Sequence, residues 1–321
     1  MVNGAPGSAW ASLRSIDDGP VLRGTAADDE RMPVTPAHLF DLASLTKTFT
    51  TVAALRLVDV GVLALDEPVR SVVPIGPVGS DADGITLRQL LTHTSGLPAE
   101  GPWRSGLVGE ELRSAVLRSG LASPPGAVHR YSDVGFIAVG EIVERASGRP
   151  LDAHVADVAE LLGASSLTWR PSDELAVATE VQPHRGLVRG EVHDELAHAL
   201  GRPAGHAGLF GTVDDVAALA RMIRDDGVGA AGRVLSADGI RLITTPVATA
   251  GAGYGQAVGL RVRDAAWMGD ADAVGHTGFT GTAFAVSRSG AYGVLLLNRV
   301  HPTREGTDVS AVRREFFSFL G

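Results

Sequence analysis

Three short stretches of this chain carry residue types that could perform acyl transfer. The first is Phe40-Asp41-Leu42-Ala43-Ser44-Leu45-Thr46-Lys47, in which a lysine follows a serine by three positions and an apolar run from Val52 to Val58 ends at Gly61. That run reads as a helix that starts near Ser44 and stops at Gly61. It is apolar on nearly every face, which places it in a core. Residues three apart share a helical face, so the Ser44 hydroxyl and the Lys47 amine meet at the start of a buried helix. Burial disfavours an ammonium ion. The expectation is therefore a lysine of lowered pKa that, as a free amine, takes the hydroxyl proton and activates the serine. The helix N-terminus adds positive potential and N–H groups where an oxyanion would form. A serine that only caps a core helix has the same spacing, so this stretch does not decide the matter by itself.

The second stretch is Tyr131-Ser132-Asp133, between a Pro124-Pro125-Gly126 turn and a helix that begins near Val134. Read plainly, it is a packed tyrosine followed by two capping residues. Read chemically, the phenol shuttles a proton beside the nucleophile, with Lys47 as the cation that supports it. The third stretch, Gly275-His276-Thr277-Gly278-Phe279-Thr280-Gly281, leads into a strand read as Gly281–Ser287. Its glycines would let a ligand approach backbone N–H groups closely.

The elements that must position these groups follow from periodicity and punctuation. Short strands at 9–14 and 21–26 flank a turn at Asp17-Asp18-Gly19-Pro20. Thr86 to Gln89 fits a capping box. Helices are expected over 110–118, 134–146 (stopped by Gly148), 151–162 and from Thr212 to Arg224. Residues 171–211 have no clear pattern. Period-two runs predict strands over 256–263, 281–287 and 291–298, with Ser289-Gly290 as a hairpin turn, and an amphipathic helix follows from Val309 to Leu320. Strands, helices, strands and a last helix imply an antiparallel sheet assembled from both ends of the chain.

Composition removes several function classes. The chain has 321 residues, a net charge of −9 and 45% apolar residues, which suits a globular enzyme. The acidic balance argues against nucleic acid or an anionic membrane as partner. No cysteine is present, which excludes thiolate chemistry. Neither a signal-like segment nor an apolar run of membrane-spanning length is visible, so a cytoplasmic location is expected. No metal site with a known ligand spacing appears.

Taken together and in this order, Ser44-Leu45-Thr46-Lys47, Tyr131-Ser132-Asp133 and His276-Thr277-Gly278 resemble the signature elements of the serine β-lactamase and penicillin-binding protein superfamily. The likeness is to its class C-like branch of β-lactamases, D,D-peptidases and esterases, where the elements are S-x-x-K, Y-x-N or a variant, and K-T-G or H-x-G. Leu90 to Leu97, Val192 to Glu195, Gly205 to Phe210 and Leu297 to Pro302 look familial too, and the resemblance runs from about Trp10 to the C-terminus. It implies an α/β (α+β) architecture of the β-lactamase/transpeptidase-like kind: an antiparallel sheet flanked by helices, with an inserted, mainly helical region. The sheet domain would comprise 1–70 and 236–321 and the helical domain 71–235, with the active site between them. Ser44 would attack a carbonyl, Lys47 and Tyr131 would take and return the proton, and the N–H groups of Ser44 and Phe279 would form the oxyanion hole. Asp133, His276, Thr277 and Gly278 would contact substrate. Water would clear the acyl-enzyme, with no cofactor.

The implied function is a serine hydrolase of an ester or amide of a small molecule or peptide. The alternatives are an acyltransferase of the same fold and a catalytically poor penicillin-recognising or ligand-sensing protein; the oligomeric state stays open. The chain departs from the family's pattern in two places, and the family's usual N-terminal helix is expected to be short or missing. Asp133 replaces an asparagine, so an amide donor becomes an acceptor-only carboxylate. His276 replaces a lysine, so a fixed charge becomes one that depends on pH.

Overall fold

The computed structural model describes residues 9–17, 19–27, 32–102, 105–247, 251–305 and 308–321. Both ends of the chain contribute to one sheet. β1 (Ala9–Arg14) and β2 (Val21–Gly24) come from the N-terminal side. β3 (Gly255–Gln256), β4 (Arg261–Val262), β5 (Ala273–Thr277), β6 (Ala283–Ser287) and β7 (Tyr292–Leu297) come from the C-terminal side. They lie in the order β2-β1-β7-β6-β5-β4-β3, every pair antiparallel. The seam between the two ends is β1 against β7, from Trp10 opposite Leu297 to Arg14 opposite Gly293. The question of a helix before β1 falls on residues outside the described ones.

Alternation along the central strands sends side chains to two cores. Phe284, Val286, Val294 and Leu296 join the large core, and Ala283, Ala285, Leu295 and Leu297 join a smaller one with Trp267, Phe316 and Phe317. A sheet buried on both faces has strands that read as nearly continuous apolar runs. Between β2 and β3 run α1 (Thr46–Asp59), α2 (Leu87–Leu91), α3 (Gly109–Leu117), α4 (Asp133–Ser147), α5 (Leu151–Leu162), α6 (Glu195–Leu200), α7 (Val213–Arg224) and α8 (Ala237–Thr244). α9 (Ala265–Met268) and α10 (Ser310–Phe317) cover the second face of the sheet, and α7 covers the first. The helices have the expected punctuation. Thr86 with Gln89 and Thr212 with Asp215 form capping boxes, and Gly148 and Gly163 end α4 and α5 in the left-handed conformation.

α1 is the axis of the helical layer and packs on α4, α5 and α8. Leu45, Phe49, Val52 and Leu55 are buried, each contributing about 1.5–3 kcal/mol of apolar burial. The expected strand over 256–263 is instead a tight hairpin of β3 and β4. Its turn contains Gly259 at φ 73°, where a Cβ would lie 2.2 Å from Thr51 Oγ1. Close packing against α1 therefore forces the turn. The His276-Thr277 motif likewise ends β5 instead of opening β6. Gly278 N–H donates to Thr282 O at 2.7 Å, which closes the loop before β6 starts at Ala283. Residues 171–211 hold only two-residue strands and α6, tied to the rest by isolated bridges such as Leu39 with Ala176.

Candidate active site

The chain reaches Ser44 through a strained turn. Ala43–Leu45 form a 3-10 turn ahead of α1, and Ala43 adopts φ 47°. A non-glycine residue there costs about 1–3 kcal/mol unless its surroundings hold it. Asp41 does the holding: its buried carboxylate accepts Ala43 N–H at 2.8 Å and His193 N–H at 2.7 Å, and its carbonyl accepts Thr280 Oγ1 at 2.8 Å. Burial raises the Asp41 pKa, and the two N–H groups partly offset this. Gly278 completes the join. A Cβ there would sit 2.6 Å from Leu42 O, so only glycine lets the end of β5 lie against the nucleophile turn.

Lys47 is fully buried, and its Nζ lies 2.9 Å from Ser44 Oγ, 3.0 Å from the His206 carbonyl and 2.7 Å from Asp133 Oδ1. The expectation of a lowered lysine pKa fails here. Burial pushes it down, but Asp133 and Tyr131 outweigh burial and the net shift is upward. Asp133, expected to face substrate, instead turns one oxygen to the lysine amine.

Tyr131 is clamped among rings and cations. The His93 ring lies against it, tilted, at 4.4 Å between centres, Lys47 Nζ is 5.0 Å from the ring centre, the Arg261 guanidinium is 5.4 Å away and the His276 ring 6.1 Å away. His93 Nδ1 accepts Ser132 N–H at 3.0 Å, so that nitrogen is unprotonated. His276 Nδ1 donates to Thr277 O at 2.9 Å. Burial, with neighbouring cations, pushes both imidazoles well below the ordinary histidine value. The pH-dependent positive charge expected at His276 is therefore absent in the working range, and the residue is a neutral hydrogen-bonding group.

Ser44, Tyr131, Thr277, Gly278 and Phe279 border a cleft of about 330 Å³. Three arginines also line it. Arg261 pairs with Asp264 at 3.0 Å; Arg299 lies 4.4 Å over the half-exposed Phe279 ring; Arg313 donates to the carbonyls of Gly278 and Thr282. Burial lowers the Arg313 pKa to about 9. Among the described residues, no cluster of His, Asp and Glu side chains could hold a metal ion.

Ser44, Tyr131, Thr277, Gly278 and Phe279 thus line the cleft, with Lys47 against Ser44, Asp133 against Lys47 and His276 near Tyr131. Reading the motifs missed Asp41, His93, Arg261 and the Asp194–His206 pair (2.9 Å), whose His206 carbonyl holds Lys47. The available signals were an acid in the apolar approach to Ser44 and an arginine inside an apolar strand.

A model of the beta-lactamase family matches residues 4–316. A putative D-alanyl-D-alanine carboxypeptidase of Escherichia coli K12 is 29% identical, over 91% of this chain and 75% of its own. An N-acetylmuramyl-L-alanine amidase of Bacillus subtilis is 30% identical, over 82% of this chain and 68% of its own. A class C beta lactamase of Rhodobacter sphaeroides superposes with a TM-score of 0.76 at 22% identity, over 98% of this chain and 94% of its own. That last likeness speaks to the fold alone, which is β-lactamase/transpeptidase-like.

Proposed function

Because this chain belongs to the beta-lactamase family and is a serine hydrolase that works through an acyl-enzyme on an ester or amide, we propose that Ser44 is its nucleophile. Lys47 and Tyr131 manage the proton, and the N–H groups of Ser44 and Phe279 receive the oxyanion. The observation that carries this reading is the fully buried Lys47 amine 2.9 Å from the Oγ of Ser44, which lines the cleft. The cleft would lie between a sheet unit of 1–70 and 236–321 and a helical unit of 71–235. Ser44 attacks the carbonyl, the leaving group departs with a proton, and water repeats the sequence to release the acid.

The cleft is lined by Arg261, Arg299 and Arg313. It suits a substrate with a carboxylate near the scissile bond, and a peptide ending in a D-amino acid has that chemistry. The name of the E. coli relative, a putative D-alanyl-D-alanine carboxypeptidase, points the same way. We place the protein in the cytoplasm, which cell fractionation would test; among the described residues no helix is long and apolar enough to cross a membrane.

Intact-mass analysis after exposure to activated esters, β-lactams, D-amino-acid peptides and a fluorophosphonate tests the nucleophile. One adduct should form on the wild type and none on folded Ser44→Ala. An adduct that persists on Ser44→Ala removes Ser44 from the mechanism.

A further inference from the structure

Arg313, on α10, is a buried cation without a counter-ion. It is 8% exposed, its Nε has no hydrogen-bond partner, and among the described residues no carboxylate pairs with it. Burial and the neighbouring Arg299 and Arg261 work against its charge, and Asp308 and Asp264 offset them only in part. An unpaired charge in such surroundings is costly, which makes its few contacts informative. They are two backbone carbonyls: Nη2 donates to Gly278 O at 2.8 Å and to Thr282 O at 3.0 Å. Neither carbonyl depends on it. Gly278 O also accepts Gly281 N–H at 3.2 Å, and Thr282 O accepts Gly278 N–H at 2.7 Å. The loop between β5 and β6 is closed by its own backbone, with the arginine added to it.

The bond between Gly278 O and Gly281 N–H makes residues 278–281 a β-turn with Phe279 in its second position. The first carbonyl of such a turn points inward, to the fourth N–H. A trans peptide is planar, with its C=O and N–H on opposite sides. The Phe279 N–H therefore points out of the turn, away from both donors on Gly278 O. Two hydroxyls pin the turn beside the nucleophile: Thr280 Oγ1 donates to Asp41 O at 2.8 Å and Thr282 Oγ1 to Leu42 O at 3.0 Å. Phe279 and Ser44 line the same cleft. Arg313 thus grips the carbonyl end of the peptide whose other end is the Phe279 N–H. A cation bonded to a peptide oxygen draws electron density from the nitrogen, and linked hydrogen bonds strengthen one another by about 10–30% per bond. The N–H becomes a stronger donor without being touched.

We propose that Arg313 is a positioning residue of the oxyanion hole: it fixes and polarises the Gly278–Phe279 peptide so that the Phe279 N–H meets the charge that develops on the substrate carbonyl oxygen. Ser44 Oγ bonds the carbonyl carbon, its proton passes to the base, and the carbonyl electron pair moves onto the oxygen, which takes the Phe279 N–H bond. On collapse the pair returns, the bond to the leaving group breaks, and that group departs with the proton. Arg313 makes no bond to substrate in either step, so its effect extends to substrates without a carboxylate. The proposal rests on the oxyanion role proposed above for Phe279.

Arg313→Met separates this role from a structural one. It removes an unpaired buried charge and leaves both carbonyls with an N–H partner, so the urea midpoint should stay level or rise. Turnover of p-nitrophenyl acetate, a neutral ester, should nonetheless fall. Deleting an oxyanion donor costs about a hundred- to a thousandfold in kcat, so weakening one should cost about ten- to a hundredfold, with KM changed by less than about threefold. Arg313→Lys keeps a cation on α10 and should turn over faster than Arg313→Met. Wild-type kcat in Arg313→Met overturns the proposal, as does a loss confined to KM. A urea midpoint that drops together with the rate assigns Arg313 to loop stability and overturns it too.

A second measurement does not depend on turnover. Protein grown with nitrogen-15 phenylalanine gives nine backbone amide signals, one per phenylalanine, and Phe279→Leu identifies that of Phe279. In a fluorophosphonate adduct on Ser44 the phosphoryl oxygen occupies the oxyanion position. On labelling, the Phe279 amide proton should move downfield in the wild type, less in Arg313→Lys and least in Arg313→Met. Equal movement in wild type and either variant overturns the role of Arg313 while leaving that of Phe279 intact. No movement in the wild type removes Phe279 from the oxyanion hole, and Arg313 with it.

Discussion

Removing the Asp41 carboxylate should damage the nucleophile turn more than any change to Ser44's exposed surroundings. Asp41 is 2% exposed, and its two oxygens accept the N–H groups of Ala43 and His193 at 2.8 and 2.7 Å. Asp41→Ala leaves both buried N–H groups without an acceptor, at about 1–3 kcal/mol each, or about 2–6 kcal/mol together. Burial raises the Asp41 pKa, so deleting the group also recovers part of its desolvation cost. The expectation is thus the lower half of that range, about 2–4 kcal/mol. A chain with about 5–15 kcal/mol of stability stays folded at that cost. With a urea slope of about 3 kcal/mol per M, the midpoint should drop by roughly 1 M. Asp41→Asn keeps one acceptor and should fall between the two.

Function should suffer beyond stability, because Ala43 at φ 47° adjoins Ser44 and loses its restraint. A displacement on the order of 1 Å can cost about a hundredfold in rate, so fluorophosphonate labelling of folded Asp41→Ala should slow by about ten- to a hundredfold. A urea midpoint within 0.2 M of wild type (roughly 0.6 kcal/mol on the same slope) together with an unchanged labelling rate would refute the argument.

Arg261→Gln should lower kcat/KM for substrates with a carboxylate beside the scissile bond by about ten- to a hundredfold, the worth of a charge-assisted hydrogen bond of about 1.5–3 kcal/mol, while a neutral ester loses far less. Equal losses on both substrates would mean that the arginine only supports the Tyr131 ring. His276→Gln should keep most of the esterase activity, and the wild-type activity profile should show no titration near ~6.5 that the variant lacks. The same residue sets a sign for stability. Its imidazole and that of His93 resist protonation when folded, so below about pH 6.5 the unfolded chain binds more protons and stability falls with pH. That fall continues until the native imidazoles themselves protonate. Urea midpoints at pH 7 and pH 5 should lie closer together in His276→Gln than in the wild type; equal spacing would contradict the neutral assignment.

Local patterns in the sequence were enough for the elements that local patterns govern. α1 could be placed because its run from Val52 to Val58 is apolar on nearly every face and Gly61 ends it, α2 and α7 because Thr86 with Gln89 and Thr212 with Asp215 are capping pairs, and α4 because Gly148 stops it. Ser44 and Lys47 could be paired because one helical turn brings them together. The charge state of Lys47 could not be read, because Asp133 reaches it only through the packing of α4 on α1. His276 was expected to titrate, because an isolated histidine in a glycine-rich loop gives no sign that it will be enclosed by Tyr131, Lys47 and Arg261. The hairpin at Gly259 depends on the approach of Thr51, and residues 171–211 are fixed by single bonds such as His193 N–H to Asp41; neither leaves a periodic trace.

The seam between β1 and β7 bears on how the chain is synthesised. Ala9 N–H bonds Asn298 Oδ1, 289 positions further along. At about 5–20 residues per second, the first strand leaves the ribosome roughly 15–60 s before its partner exists. β1 and β2 form only a two-stranded ribbon meanwhile, and such a ribbon is marginal in water. Their apolar residues, Ala9, Ala11 and Leu13, must therefore wait unpaired or be shielded by a chaperone. The late strands include β5, which ends at His276 and Thr277 beside the nucleophile turn. A nascent chain that stalls before β7 has its Ser44 helix but an unfinished sheet. A seam between strands this far apart in sequence raises the contact order of the fold, the quantity with which folding slows.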